Sequence, residues 1–183
     1  ANLLPDHHPV NVEYNKFLDT FGEEGNLIII AVKDSNLFTP ENFNEWNKLS
    51  KQLQAKPEVD AVISTESLQK LVKNTEKHQF ELEPLIKNEL KNKAEVDSIK
   101  DELFLKLPFY ESLLFNKKTH TIRTAIYIDK EIVNTSVRKD FVINDFEPLI
   151  DDFEAKTGLD VKVSGMPYIR TLNSQSIIDE ISM

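Results

Sequence analysis

The residues best suited to chemistry in this chain are few and scattered. His7 and His8 are adjacent, His78 lies in a lysine- and glutamate-rich stretch, and His120 sits in a strand-like one. A protein-bound zinc takes three or four side chains that fold to one point. Neighbouring residues seldom point the same way, and no third ligand follows at a suitable spacing. His7 and His8 therefore read as a surface lead-in, and His78 and His120 as isolated residues. Cysteine is absent, which excludes disulfides, thiol nucleophiles and thiolate metal sites. Serine, histidine and aspartate all occur, but without a Gly-x-Ser-x-Gly elbow or another local nucleophile signature. No phosphate-binding glycine loop is present either, because Gly22 and Gly25 lead into a strand and not into a helix. Asp145, Glu147, Asp151, Asp152 and Glu154 crowd together, but on a helix-patterned stretch. Calcium needs an oxygen-rich loop, so these acids read as a solvated helix face. The residues thus predict no enzyme, no catalytic group, no cofactor and no metal.

One stretch stands apart. Residues 104–115 hold Phe104, Phe109, Tyr110, Leu113, Leu114 and Phe115. They either pack as core against a sheet or line a greasy cleft or protein interface. Phe104, Phe109, Tyr110 and Phe115 are the candidate residues for a hydrophobic path or interface.

Composition narrows the partners. The chain has 183 residues, 40% hydrophobic and 29% charged, which suits one large globular domain or one domain with an insert. Its 31 acidic and 22 basic residues give a net charge of -9. A nucleic-acid backbone would be repelled, and anionic membrane surfaces are disfavoured as a docking site for the same reason. Four glycines and eight prolines leave no room for a long flexible linker. The chain starts at Ala1 without a signal peptide, and no apolar run is long enough to span a bilayer. These features predict a piece cut from a longer protein.

The elements that must position any site are clearer. Leu27 to Val32 are six apolar residues in a row behind a Gly22–Asn26 turn, the pattern of a central strand buried on both faces. Before it, Tyr14, Phe17, Leu18 and Phe21 fall on one helical face, ending near Gly22. After it, Thr39-Pro40-Glu41 opens a helix with a hydroxyl cap, a first-turn proline and an acid at the positive end. Its stripe is Phe43, Trp46, Leu49 and Leu53. Val59, Ala61 and Ile63 then alternate with Asp60, Val62 and Ser64 as a half-buried strand. Residues 66–116 show apolar positions at helical spacing, predicting a helical insert broken by Pro108. From Thr119, Ile122, Thr124, Ile126 and Ile128 alternate with Arg123, Ala125 and Tyr127. A helix from Thr135 carries Val142, Phe146, Leu149, Ile150 and Phe153 and ends at a left-handed Gly158. Val161 to Ser164 make the last strand, and a helical tail follows.

The order is strand–helix–strand (26–65), helical insert (66–116), strand–helix–strand (119–168). Two such units make an α+β, ferredoxin-like split βαβ with both helices on one sheet face. The apolar run 27–32 predicts that the other face is also covered, by an insert helix or a neighbouring domain.

These pieces, in this order, resemble the first extracytoplasmic (porter) domain of RND-superfamily exporters, in the MMPL and Patched-like branch. The resemblance rests on Leu4-Pro5, Phe17, Phe21-Gly22, strand 27–32, Thr39-Pro40-Glu41 and Val59 to Ser64. It continues through Leu107-Pro108-Phe109, Leu113-Leu114, Gly158-Leu159 and Ser164-Gly165-Met166-Pro167. The chain departs from the family at Phe115 and Asn116-Lys117-Lys118, where relatives carry a small residue and an Asp-Gly-like turn. The resemblance implies an extracytoplasmic, periplasmic part of a bacterial inner-membrane exporter driven by protons. Segments 1–22 and 169–183 would lead toward transmembrane helices. The partners it implies are those helices, a second porter domain and a lipid or hydrophobic ligand, with a homo-oligomer left open. The family's proton-relay carboxylates lie in transmembrane helices, so no catalytic residue carries over. The alternatives are a free-standing ferredoxin-like module binding a ligand or protein, a hydrolase with its triad spread over loops, and a domain serving only subunit contacts.

Overall fold

The apolar run 27–32 forms the strand it predicts. In the computed structural model, which describes Gly22, residues 25–106 and residues 114–182, β1 (Leu27–Lys33) lies inside a sheet. It is followed by α1 (Pro40–Gln54), β2 (Val59–Ile63), β3 (Gln69–Asn74), β4 (Gln79–Pro84) and α2 (Lys93–Asp101). The second half contributes β5 (Phe115–Asn116), β6 (Thr121–Ile128), α3 (Ser136–Phe141), α4 (Glu147–Thr157), β7 (Lys162–Ser164) and α5 (Met166–Ser182). The amphipathic helix read over residues 10–21 falls outside the described residues.

The main sheet runs β2-β6-β1-β7, with β5 also on β6, and its pairings are antiparallel. Register is set in the middle by Ile28 opposite Ile126 and Ile30 opposite Thr124 on β6, with Ile30 opposite Val163 on β7. The chain therefore makes β1-α1-β2 and β6-α3-α4-β7, the split βαβ arrangement of a ferredoxin-like α+β fold.

Local chemistry starts and stops the helices as expected. Thr39 Oγ1 accepts from the Asn42 N–H at 3.2 Å, with Pro40 at the first position. Thr135 caps α3 through the Val137 N–H at 3.3 Å. α3 passes through a π turn at Val142–Phe146 into α4, which no sequence signal announces. Gly158 closes α4 in the left-handed region (φ 70), its N–H donating to the Glu154 carbonyl at 2.8 Å.

Both helical layers lie on one sheet face. Ile28, Ile30, Val32, Ile122, Ile126 and Ile128 point into a core with Phe43, Trp46, Leu53, Phe146, Ile150 and Phe153. Trp46 meets Phe153 edge-on at 5.5 Å, joining α1 to α4. The opposite face is buried as well: Leu27, Ile29, Ala31 and Ala125 are all nearly inaccessible, with Ile63 and Tyr127 packed beside them. The expectation of a covered second face thus holds. Neither expected cover is needed: the insert helix α2 packs elsewhere, since Val96 and Leu103 join the main core, and the chain buries these residues without a neighbouring domain.

Two expectations need correcting. Residues 66–116 are not helical throughout: β3 and β4 pair as a separate hairpin, Gln69 opposite Pro84 through Asn74 opposite Gln79, and only then does α2 begin. The apparent helical spacing of Leu82, Leu85 and Ile86 spans a strand and the loop after it. In β2, the inward residues are Val59 and Val62, with Ile63 half-buried and Ala61 exposed. A register shift between Val59 and Ala61 breaks the simple alternation, because a bulge inserts one unpaired residue.

Candidate functional site

Of the four candidate residues, the described part of the structure brings two together. Phe104 sits in a π turn (Glu102–Lys106) that continues α2, and Phe115 is in β5 opposite Ile122. Their rings are 5.0 Å apart. Phe104 also meets Phe38 edge-on at 5.8 Å, and Phe38 stacks on Phe43 of α1 at 5.8 Å. The Lys100 ammonium lies over the Phe38 ring at 4.7 Å. Phe115 is wholly buried and Phe104 half-buried. The pair is therefore a weld between the insert and the helix-side core, with Phe104 as its solvent-touching member. Phe109 and Tyr110 lie outside the described residues.

Among the described residues, two grooves lie elsewhere. A polar one of about 200 Å³ runs along α1, lined by Asn44, Asn47, Lys48, Lys51, Glu66 and Lys87 among others. Asn44 shapes it by clamping the loop before α2: its Nδ2 donates to the Leu90 carbonyl and its Oδ1 accepts the Leu90 N–H, both at 2.8 Å. Thr65 donates to Asn47 Oδ1 at 3.1 Å, and Lys51 meets Glu66 at 3.7 Å. Its charges are mixed in sign, and it has no nucleophile with a base beside it.

The second groove, about 460 Å³, lies between the edge strand β2 and the hairpin, lined by Val62, Ile63, Ser67, Leu68, Gln69 and Leu82. Beside it, Phe80 is 68% exposed and Leu82 65% exposed. Sequence reasoning passes over both residues because it takes their segment for a helix. The signal lies in the alternation Gln79-Phe80-Glu81-Leu82-Glu83, a strand pattern.

The buried second face of the sheet ends in cations. Arg123 is 1% exposed and stands opposite Ala31, with Lys162 on the other side of Ala31 and Lys33 two residues along β1. Burial, and then the neighbouring Lys33, hold the Lys162 ammonium below the usual lysine range. On the helix side, burial and a hydrogen bond with Glu147 push the Tyr168 phenol well above the ordinary tyrosine range.

The isolated histidines occupy turns: His78 closes the β3–β4 hairpin and His120 precedes β6, both at positive φ (51 and 55). No group of three or more His, Asp or Glu that could hold a metal occurs among the described residues. Of the acidic run, Asp145 pairs with Lys56 at 3.6 Å and Asp152 with Lys156 at 2.9 Å. None of the helices among the described residues is long and apolar enough to cross a membrane. No protein-family model matches this chain, and neither does any curated protein.

Proposed function

We propose that the chain is an extracytoplasmic substrate-path domain of a proton-driven RND-type exporter of lipids or hydrophobic compounds. The observation that carries the reading is the ferredoxin-like sheet order β2-β6-β1-β7. The second face, Leu27, Ile29, Ala31 and Ala125, is apolar and is covered within the chain itself, so it suits an exporter domain and a free-standing module alike. The order of phrases from Leu4-Pro5 to Met166-Pro167 adds support.

On this reading the domain performs no bond chemistry. It shifts between arrangements that admit and release a hydrophobic solute, and the proton-coupled step resides in membrane helices outside this chain. Its partners are those helices and a second porter-like domain, and it stands on the periplasmic side of the inner membrane. The Phe104–Phe115 contact is where such a shift would open, because Phe104 alone of the pair reaches solvent.

The test uses the full gene product in cells, with efflux of a hydrophobic fluorescent dye as readout. Substitution of Phe104, Phe109 or Tyr110 by Ala, or of the sealed Phe115 by Leu, is expected to reduce export while membrane assembly persists. Collapse of the proton gradient is expected to abolish export in the unsubstituted protein. Export indifferent to both would overturn the proposal. Loss of assembly without a path defect would instead make these residues an interface.

A further inference from the structure

The β3–β4 hairpin is amphipathic the wrong way round. Cross-strand partners share a face, and faces alternate along a strand. One face therefore holds Phe80, Leu82 and Pro84 of β4 with Lys73 and Gln69 of β3, and all five are exposed. The other face holds Lys70, Val72, Asn74, Glu81 and Glu83, all half-buried, and the exposed Gln79 at the turn end. So the hairpin turns Phe80 and Leu82 outward and its acids inward. The acids are also neutralised there: Glu81 takes Lys77 at 3.6 Å and the Asn74 amide at 3.1 Å, and Glu83 takes Lys87 at 3.0 Å.

We infer that this outward face is a membrane-surface contact, inserting Phe80 and Leu82 into the headgroup boundary of a phospholipid bilayer. Size decides against a second copy of the chain. Two side chains about two-thirds exposed offer on the order of 250 Å², whereas a stable dimer needs roughly 800 Å² from each partner. Charge decides for lipid. The chain carries -9 overall, yet the charge on this face is the cation Lys73, directly opposite Phe80. A lysine stem lies along apolar surface while its ammonium reaches phosphate, the usual arrangement at a bilayer interface. The neighbouring groove shares Leu82 and is lined by Val62, Ile63, Ser67, Leu68 and Gln69, so it is mixed in polarity. This contact depends on the hairpin alone and stands whether or not the chain belongs to an exporter.

The test is co-sedimentation of the 183-residue chain with vesicles of phosphatidylcholine, and with vesicles that also contain phosphatidylglycerol. The chain is expected to bind both. The double variant Phe80→Ser, Leu82→Ser is expected to lower partitioning about tenfold or more on both. Lys73→Glu is expected to weaken binding to the anionic vesicles more than to the zwitterionic ones. Because these side chains are exposed, circular dichroism and thermal unfolding should match the parent. Phe80→Trp supplies a direct reporter, its emission moving to shorter wavelength on adding vesicles, while the buried Trp46 contributes a constant signal. The inference is overturned if the parent chain does not sediment with vesicles, if the double variant binds like the parent, or if the emission of the Phe80→Trp variant does not move. It is equally overturned if the parent forms a dimer that the double variant dissociates, for the face would then belong to a second copy.

Discussion

Replacing Gly165 by Ala should be the most damaging single-methyl change in the chain. Gly165 follows β7, opens α5 through its carbonyl (accepting from the Ile169 N–H at 3.0 Å) and has φ +121. A Cβ there would stand 2.1 Å from the Leu27 carbonyl oxygen, 3.0 Å from Ile28 Cα and 3.1 Å from the Leu27 carbonyl carbon. These are backbone atoms of the central strand, so no side chain can swing away. The dihedral alone costs an alanine about 2 kcal/mol. Relief of the clash requires β7 to draw back from β1, with about two of the β1–β7 ladder hydrogen bonds weakened, roughly 2 kcal/mol more. The sum is about 4 kcal/mol, or a fall in Tm of about 8–16 °C for a chain of this size. Gly158→Ala is the internal control. Its φ is +70, but nothing lies within 4 Å of the added methyl, so the cost is the left-handed strain alone, about 1 kcal/mol. Urea unfolding followed by Trp46 fluorescence measures both. A Gly165→Ala cost no larger than that of Gly158→Ala would refute the close approach of residue 165 to β1.

Other changes test the remaining joints. Thr39→Ala removes the cap of α1 and should cost about 1 kcal/mol in urea unfolding. Phe115→Ala empties a fully buried position between Phe104 and the main sheet, and should cost about 3–5 kcal/mol with the β3–β4 hairpin signals unchanged in amide spectra. The raised Tyr168 phenol gives a signed pH dependence. The folded state holds this proton more tightly than the unfolded chain, so its contribution is fully present below pH of about 10 and is lost as pH rises beyond it. Tyr168→Phe should therefore flatten the decline in stability above that pH, and an unchanged alkaline slope would contradict the burial of the hydroxyl.

What can be read from the sequence follows from how strong each local signal is. Strand β1 is legible because six apolar residues between a glycine turn and Lys33 fit no amphipathic helix. α1 is legible from its cap, its proline and the stripe Phe43, Trp46, Leu49 and Leu53. Thr135 and Gly158 mark the second helical stretch in the same way. The hairpin escapes notice because its turn, Asn74 to His78, contains no glycine. The left-handed position there is taken by His78, and Lys77 N–H donating to Asn74 Oδ1 at 3.1 Å shapes the turn instead. Leu68, Leu71 and Val72 then imitate a helical face by chance of spacing. The bulge in β2 and the π turn at Val142–Phe146 leave no composition mark, because each is a one-residue accommodation to packing. Phe104 and Phe115 stand out for their greasiness, and they do meet. That Phe115 is sealed in the core while Phe80 and Leu82 face outward depends on pairing across the chain, which spacing alone does not encode.

The central claim is that this sheet is part of a membrane exporter, and the most direct measurement is the coding sequence on either side of Ala1 and Met183. An exporter domain of this kind should have a segment of about 20 apolar residues immediately before the first and another soon after the second. Charged flanks on both sides, with no such segment, would contradict the claim and leave a free-standing ferredoxin-like binding module.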